Sequence, residues 1–382
     1  MSLVSSVKRF YKTNYPPTVE KSSNPLRFGV LGAANIAPNA IVKPMRCHED
    51  AVLVAVAARD KGRADAFAQK WGIPRTYGGS SAYQELLNDA GIDAVYIPLP
   101  NGLHYEWTMK ALAAGKHVLC EKPISNNEEE VRKMFAYAAE KSLVLLESWQ
   151  PHFHPALHRV KAILDEGSLG KIVKMSAEFG ISRMFLPEDD IRYDFSLGGG
   201  MLMDMGPYPI NCLRFLASSN PTVESAESIN LSDTIDRRVE AHLTFPGAVT
   251  ATVITDGALD SWGPLKLFPH FIAFHAKVEC EHGSVEVSNY IIASMWHSIK
   301  VSPKGGKVWV EKAYEPPAGT GKGEDWWSAY RYTLEAFVDK VRGREPHAWR
   351  TAEDSIDEMH VIDAIYTKCG LPLRQTSNYQ PS

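Results

Sequence analysis

The sequence predicts an α/β protein in which a doubly wound parallel sheet is followed by a second α/β unit with a large, open, mainly antiparallel sheet. From residue 25 to about 150, apolar runs alternate with helical stretches, which is typical of parallel strands joined by crossover helices. After Pro151, strand-like segments follow one another with few helices between them. We therefore expect an arm at 1–24, a first unit at 25–150 and a second at 151–382.

Apolar runs of strand length define the first unit. The predicted strands are Leu26–Leu31, Ala51–Ala58, Asp93–Ile97, His117–Cys120 and Leu143–Leu146. The predicted helices are Arg63–Trp71, Tyr105–Ala114 and a helix that opens at Ser125–Glu128 and ends near Lys141. Ser125 and Glu128 resemble a capping box, which is a helix-starting pattern.

The second unit begins with a helix predicted over about Ala156–Gly167. Its predicted strands are Ile172–Phe179, Glu240–Phe245, Val249–Thr255, Phe271–Cys280 and Ser284–Val287. Two helices, near Trp326–Arg342 and Ala352–Cys369, close the chain. The scarcity of helices between these strands predicts a mainly antiparallel sheet.

The charge balance argues against two classes of partner. Lys and Arg number 41 and Asp and Glu 45, so the net charge is −4. Nucleic acid and anionic membranes are bound through excess positive charge, so neither is expected. No run approaches the roughly 18 apolar residues of a membrane span. Five dispersed cysteines fit reduced thiols, which indicates a cytoplasmic protein.

Residues 1–24 carry basic side chains but no apolar segment of the kind found in secretory signals. Serines and basic residues without an acid before Glu20 also fit a matrix-targeting segment. We interpret this stretch as an arm that lies on the protein surface or on a partner subunit.

The first predicted strand runs into a turn of small and short residues, namely Gly32, Ala33, Ala34, Asn35 and Ile36. This is a G-x-G-x-x-G type turn with alanine at the second and third glycine positions. Small side chains there let the pyrophosphate of a dinucleotide approach the N-terminus of the following helix. We expect cofactor binding at this turn; a tight structural turn is the alternative.

The end of the second strand selects between the two nicotinamide cofactors. An acid at this place binds the ribose 2′-hydroxyl of NAD, whereas an arginine accommodates the 2′-phosphate of NADP. The strand ends with Ala58, Arg59 and Asp60. Arg59 favours NADP because its guanidinium is a planar donor for phosphate. Asp60 would favour NAD if its side chain turned inward, and an exposed surface arginine is the structural alternative.

Two further segments resemble motifs of the Gfo/Idh/MocA oxidoreductases. Gly115–Pro123 ends in Glu-Lys-Pro after a strand, and Gly198–Tyr208 reads Gly-Gly-Gly-Met-Leu-Met-Asp-Met-Gly-Pro-Tyr. The resemblance spans about Leu26–Arg374 and implies a Rossmann domain followed by an open-sheet α/β domain. Many members have histidine in place of Tyr208. The tyrosine version is similar to dimeric dihydrodiol dehydrogenases, NADP-dependent D-xylose 1-dehydrogenases and some glucose-fructose oxidoreductases, which implies NADP use and oxidation of alcohols or aldoses.

The resemblance implies that Lys122, Tyr208 and Asp204 are catalytic. Oxidation of a hydroxyl needs a base for its proton while hydride leaves to nicotinamide. Tyrosine is a poor base with a pKa of about 10, and the ammonium of Lys122 would lower that pKa by stabilising the phenolate. Asp204 would orient Lys122 or the substrate, or form a structural salt bridge. It shares a face with Tyr208 if the segment is helical, although Pro207 and Pro209 favour a helix that starts near Pro209.

The resemblance also implies a set of cofactor contacts. These are Pro100, Asn101 and His104 in the loop after the third predicted strand, Glu121 and Lys122 after the fourth, and Ile191, Arg192 and Tyr330 further along the chain. The bond before Pro123 is cis in relatives. A loop cap or a packing aromatic is the alternative role for the more distant members of this set.

Two clusters suggest other chemistry. His152, His154 and His158 include an i, i+4 pair, but no Cys or acid accompanies them at zinc-like spacing. We therefore expect no metal site and instead a histidine that lines the substrate cleft. The aromatic segment Trp326–Tyr332 resembles a base-stacking surface, yet the charge balance favours packing between domains.

Together these features predict an NADP-dependent oxidoreductase that oxidises an aldose such as D-xylose or D-glucose at C1 to the lactone, with NAD as the weaker alternative. The enzyme alternatives are a trans-dihydrodiol dehydrogenase and a glucose-fructose oxidoreductase that retains its NADP. A non-catalytic NADP sensor is a further alternative, against which Lys122 and Tyr208 argue. Open sheets in this family usually pair through their exposed faces, so we expect a homodimer or a dimer of dimers.

Overall fold

A computed structural model describes residues 3–261, 271–316 and 322–381 and contains the two α/β units that the sequence predicts. The strands of the first unit form from apolar runs because helices cover the sheet. Its elements are α1 (Leu3–Asn14), β1 (Leu26–Leu31), α2 (Lys43–Arg46, continuing a π-helical turn at Pro38–Val42), β2 (Ala51–Ala58), α3 (Lys61–Trp71), β3 (Arg75–Gly78), α4 (Ala82–Asn88), β4 (Ala94–Ile97), α5 (His104–Ala113), β5 (His117–Glu121), α6 (Glu128–Glu140) and β6 (Leu145–Ser148).

The first sheet is parallel, with its six strands in the order β3-β2-β1-β4-β5-β6. The strand order reverses at β1, which places a crevice at the carboxyl ends of β1 and β4. The sequence analysis missed β3 because this four-residue edge strand is only half-buried. It also misplaced the start of α6, since Asn127 rather than Ser125 caps the helix, accepting a hydrogen bond from the backbone N–H of Glu130.

The second unit supplies the remaining described elements. They are α7 (Pro155–Asp165), β7 (Ile172–Ile181), α8 (Met201–Met205), α9 (Pro207–Ala217), β8 (Thr222–Asn230), β9 (Asp236–Phe245), β10 (Val249–Asp256), β11 (Ile272–Cys280), β12 (Gly283–Ser288), β13 (Ser298–Pro303), β14 (Trp309–Glu311), α10 (Ala329–Val341) and α11 (Ala352–Lys368). None of the described helices combines the length and apolar character needed to cross a bilayer.

Within the described residues, the second sheet has eight strands in the order β14-β13-β12-β11-β7-β10-β9-β8. Neighbouring strands are antiparallel except for the parallel pair of β7 and β10. Helices α7, α8 and α9 pack on one face, and the other face carries accessible charged side chains such as Glu240 and Lys277. Strands β8, β13 and β14 were not predicted, because serine, lysine and glutamate interrupt their apolar pattern.

The C-terminal helices return to the first unit. The ring of Phe337 in α10 lies 5.7 Å from that of Phe28 in β1. Trp326, Trp327 and Tyr332 belong to the same buried core, which agrees with the packing role predicted for this aromatic segment. Helix α11 packs against α6. The first sheet is therefore covered in part by residues that the sequence analysis grouped with the second unit.

The N-terminal arm lies on its own chain. Arg9 in α1 donates a hydrogen bond to the carbonyl of Met295 at 2.9 Å, and its guanidinium lies 3.7 Å from the ring centroid of Tyr314. Beyond α1 the arm reaches the first unit, where Lys21 Nζ donates to the carbonyl of Met45 at 2.6 Å. The arm thus spans both units, in the first of the two placements that the sequence analysis considered.

Candidate active site

The turn after β1 leaves room for a phosphate group. Gly32 has a φ of +116°, a conformation that favours glycine, and its N–H donates to the carbonyl of Ala57 at 2.8 Å. A Cβ at Gly32 would lie 3.1 Å from the side chain of Leu99. The two following alanines are half-buried, and the helical turn that begins at Pro38 carries no acid. These residues fit the pyrophosphate of a dinucleotide.

The end of β2 presents cations rather than a free acid. Arg59 is exposed directly after the strand. Asp60 caps α3, because its carboxylate accepts a hydrogen bond from the backbone N–H of Arg63 at 2.9 Å. The guanidinium of Arg63 donates to the carbonyl of Ala33 in the turn at 3.5 Å. The sequence analysis missed Arg63, although its place in the first turn of α3 was an available signal. This arrangement suits a 2′-phosphate better than a ribose hydroxyl.

The loop after β4 joins the two units. It passes from Pro100 through a 3₁₀ turn at Asn101–Leu103 into α5. The side-chain amide of Asn101 donates to the carbonyl of Gly198 at 3.3 Å. This contact holds the loop against the glycine-rich segment that leads to α8.

His104 supports this loop from inside the protein. It is fully buried, and its ring nitrogens lie 2.8 Å from the carbonyl oxygen of Pro123 and 2.7 Å from that of Leu99. Burial lowers the pKa of His104 to about 4. Its polar atoms face backbone carbonyls, so His104 connects two loops and does not present a free nitrogen to a cofactor, in contrast to its predicted role.

The Glu-Lys-Pro segment follows β5, and the bond between Lys122 and Pro123 is cis, as the resemblance implied. Glu121 is buried at the end of β5 and accepts a hydrogen bond from the hydroxyl of Tyr96 at 2.7 Å. Burial raises the pKa of Glu121. Glu121 therefore ends the strand at the carboxyl edge of the sheet, and Lys122 follows it next to the crevice.

Lys122 belongs to an ion cluster between the units, with Asp204 at its centre. Its Nζ donates to Asp204 Oδ1 at 2.7 Å and to the Asp204 carbonyl at 2.8 Å. Arg192 Nε donates to Asp204 Oδ2 at 2.7 Å, and Arg192 also pairs with Asp190. Burial would raise the pKa of Asp204, but Arg192 and Lys122 hold it well below its usual range. Although burial lowers the pKa of Lys122, Asp204 and Tyr208 raise it more, so the amine is charged.

Tyr208 lies beside the ion cluster, near the start of α9. This helix begins at Pro207, two residues earlier than the predicted start at Pro209. The Nζ atom of Lys122 is 5.1 Å from the centroid of the Tyr208 ring. On another side, the amide Nε2 of Gln150 donates to the Tyr208 hydroxyl at 3.2 Å. Sequence reasoning missed Gln150, which carries no motif of its own.

The pKa of Tyr208 lies above its usual value, which corrects the expectation from sequence. Burial raises this pKa, and its effect exceeds the lowering by Lys122 and by the hydrogen bond from Gln150. Only 6% of Tyr208 is exposed, so a phenolate there would lose most of its hydration. Tyr208 is therefore a protonated phenol at neutral pH.

A cavity of about 370 Å³ adjoins Tyr208 and has mainly apolar walls. Its lining includes Ile36 from the turn after β1, Gln150, Tyr330 of α10, Phe179 of β7, Phe274 of β11, and Thr13 and Pro16 of the arm. The cavity therefore extends from the dinucleotide turn to Tyr208. A nicotinamide and a small substrate could meet there, beside the phenol.

The structure brings together Lys122, Asp204, Arg192 and Tyr208, and Tyr330 lines the same cavity as Tyr208. Ile191 lies next to Arg192 and is 47% exposed. Asn35 and Ile36 are exposed in the turn after β1, next to the half-buried Ala34.

The histidines lie outside this cavity. His154 caps α7, His152 lines a separate pocket beside Arg214, and His158 Nε2 is 2.6 Å from the His152 carbonyl. None of these three histidines lines the cavity beside Tyr208, in contrast to the expectation of a histidine in the cleft. In the part of the chain that the structure describes, no group of three His, Cys, Asp or Glu residues could hold a metal ion.

Comparison with known proteins finds a family match for each of the two units. Residues 26–148 match the family described as "Oxidoreductase family, NAD-binding Rossmann fold", and residues 157–286 match "GFO/IDH/MocA C-terminal domain". The chain is 32% identical to D-xylose 1-dehydrogenase (NADP(+)) 2 of Haloferax volcanii, with 89% of this chain and 96% of that protein covered. It is 40% identical to a dTDP-3,4-didehydro-2,6-dideoxy-α-D-glucose 3-reductase of Actinomadura kijaniata, with 91% and 96% covered.

A solved structure gives the same picture. The chain superimposes on a 3-ketoreductase from Actinomadura kijaniata in complex with NADP and TDP-benzene, with a TM-score of 0.77 and 29% sequence identity. The match covers 90% of this chain and 98% of the other.

Proposed function

This chain belongs to the GFO/IDH/MocA oxidoreductase family, and from that premise we propose that it uses NADP to oxidise an aldose of the D-xylose or D-glucose type at C1, giving the lactone. The observation that carries the proposal is the contact of Lys122, Asp204 and Tyr208 beside a cavity that extends to the dinucleotide turn. The similarity to a D-xylose 1-dehydrogenase over 89% of the chain supports an aldose as substrate.

Each residue beside the cavity has a separate role in this proposed oxidation. When bound at the turn after β1, NADP⁺ would accept the hydride from C1 and would place a positive charge near the site. Tyr208, as the phenolate, would take the proton of the C1 hydroxyl. Lys122 stabilises the phenolate, because its amine is charged. Asp204 keeps that amine beside the phenol through the hydrogen bond at 2.7 Å.

Reduction of a keto sugar is the second candidate. A carbonyl needs a proton donor as hydride arrives, and burial keeps Tyr208 protonated at neutral pH. The 40% identity to a keto-sugar 3-reductase supports this direction. A trans-dihydrodiol dehydrogenase and a glucose-fructose oxidoreductase with retained NADP are alternatives within the same chemistry. An NADP sensor without catalysis would leave the Lys122 cluster unused.

A substrate screen separates these candidates. Purified protein is incubated with NADP⁺ and a panel of aldoses and trans-diols, or with NADPH and keto sugars, and the near-ultraviolet absorbance of reduced nicotinamide is followed. We expect NADPH to form with D-xylose or D-glucose and little change with diols. Consumption of NADPH with keto sugars alone would replace the aldose proposal with the second candidate, and no turnover in either direction would favour the sensor. Nucleotide that copurifies and turns over in place would indicate cofactor retention.

Arg59 is expected to determine cofactor choice. Its replacement by alanine removes a charge-assisted contact to the 2′-phosphate of about 1.5–3 kcal/mol. NADP affinity should fall by roughly ten- to a hundredfold and NAD affinity should change little, as measured by titration of protein fluorescence. Arg132→Ala, which removes an exposed arginine on α6, is the matched control. An equal loss for both cofactors would contradict the assignment of Arg59.

We infer that the open face of the second sheet forms a homodimer, or a dimer of dimers. This face carries both signs of charge, with ion pairs such as Arg238–Glu240 and Lys277–Glu279. Such a face can be self-complementary about a two-fold axis, because each copy presents both positive and negative side chains. Light scattering at micromolar concentration should give at least twice the monomer mass of 42.4 kDa. A monomer would contradict this inference.

We further propose that the protein works in the cytoplasm. Its five cysteines are free thiols, and Cys47, Cys120, Cys212 and Cys280 are buried. Thiols without disulfides suit a reducing compartment.

A further inference from the structure

Gln150 is a polar side chain in the wall of the cavity. It begins the 3₁₀ helix at Gln150–Phe153, directly after β6 and Trp149. Only 3% of Gln150 is exposed, and both Trp149 and Phe153 are fully buried. Its backbone is therefore held in a packed segment, so its amide has a defined position next to Tyr208.

The amide of Gln150 makes one hydrogen bond and leaves one group free. Its Nε2 donates to the Tyr208 hydroxyl at 3.2 Å, so the phenolic oxygen acts as the acceptor. Because the phenolic oxygen accepts this hydrogen bond, the phenolic O–H must point away from the Gln150 amide nitrogen. The Oε1 atom of Gln150 is buried and has no hydrogen-bond partner among the described residues. A buried amide oxygen without a partner is costly, which suggests that a bound molecule supplies the donor.

We propose that Gln150 positions the proton of Tyr208 and selects substrates with a hydroxyl next to the reacting carbon, through a hydrogen bond from that hydroxyl to Oε1. This inference rests on the proposed role of Tyr208 in proton transfer. The two polar atoms of the amide are only two bonds apart. Nε2 donates to the Tyr208 oxygen, which exchanges a proton with the reacting hydroxyl of the substrate. Oε1 therefore lies within reach of the substituent on the carbon next to the reacting carbon. In an aldose oxidised at C1, that substituent is the C2 hydroxyl.

Two functions of one side chain can be separated by two variants. Gln150→Met has similar length but neither donor nor acceptor. Gln150→Glu keeps an acceptor for a substrate hydroxyl but loses the donor to Tyr208. Each is assayed with an accepted aldose and with its 2-deoxy analogue, and the pH dependence of kcat/KM is recorded.

In the unmodified protein the aldose should be preferred over its 2-deoxy analogue. In Gln150→Met this preference should shrink by roughly three- to tenfold, the size of one neutral hydrogen bond. Gln150→Glu should keep most of the preference. In both variants the pH at which oxidation reaches half its maximum should rise by about one unit, because a donor to the phenolate has been lost. A residue that only fills space would change neither quantity.

Gln84→Met is the matched control, because Gln84 on α4 bonds Asn88 away from the cavity. The inference is wrong if Gln150→Met keeps both the preference and the pH profile while Tyr208→Phe is inactive. It is also wrong if Gln150→Met weakens NADP binding and leaves the preference unchanged, since the cofactor carboxamide would then be the partner of Oε1. Turnover retained by Tyr208→Phe would instead overturn the proposed function itself.

Discussion

Replacing Tyr208 with phenylalanine is expected to lower turnover by about 10²- to 10⁴-fold while NADP affinity stays the same. The substitution removes one oxygen and keeps the ring, which packs edge-on against Phe179 with centroids 5.1 Å apart. Steady-state rates and a cofactor titration measure the two quantities. Tyr290→Phe is the matched control, because Tyr290 is also buried and its hydroxyl has no partner among the described residues.

The rates of oxidation and reduction should change with pH in opposite directions. Burial raises the pKa of Tyr208, so the phenol is the major form at neutral pH. Oxidation needs the phenolate, and its rate should rise with pH until the pKa of Tyr208 in the complex is passed. Reduction needs the phenol, and its rate should fall over the same range. Both dependences should disappear in Tyr208→Phe. A variant that keeps turnover within a few-fold and the same profile would show that Asp204 or water carries the proton.

Replacing Lys122 with methionine is expected to have a still larger effect, a loss of turnover on the order of 10⁴-fold. In the proposed mechanism, the amine is both the charge that stabilises the phenolate and a contact for the substrate hydroxyl. Asp204 would stay paired with Arg192 at 2.7 Å, so the carboxylate is not left alone in the interior. The fold should therefore survive, which circular dichroism and thermal unfolding can check.

The residual pH profile distinguishes two roles of Lys122. If the amine acts on Tyr208, Lys122→Met should move the rise in oxidation rate to higher pH, because the phenolate loses its cation. Lys133→Met, which removes a lysine paired with Glu129 on the surface of α6, is the control. A loss of substrate affinity with an unchanged profile would restrict Lys122 to substrate binding.

The sequence was sufficient for much of the fold, because strands such as Ala51–Ala58 are apolar throughout and helices such as Lys61–Trp71 have clear ends. It was insufficient where tertiary contacts determine whether a strand forms or where a helix begins. The edge strand Arg75–Gly78 is stabilised by pairing with β2 rather than by its own side chains. The cap at Asn127 depends on local backbone geometry, since Ser125 two residues earlier is an equally good capping type.

The candidate site could likewise be predicted only in part from the sequence. The motifs led to Lys122, Asp204 and Tyr208 because their order along the chain resembles that of known enzymes. The raised pKa of Tyr208 could not be predicted from the sequence. It depends on whether the loss of hydration on burial outweighs the charge of Lys122, and burial is known only from the structure. Gln150 was not visible either, because a glutamine is chemically ordinary until a fold places it against a phenol.

The return of α10 to the first sheet affects the order in which the chain can fold during synthesis. Strand β1 is made early, but its partner Phe337 is added more than 300 residues later. At ribosomal rates of about 5–20 residues per second, on the order of 10 to 40 s separate the completion of β6 from that of α10. During this interval Phe28 and its neighbours in β1 lack part of their cover. We therefore expect the nascent chain to expose apolar surface of the kind that chaperones shield until α10 has been made.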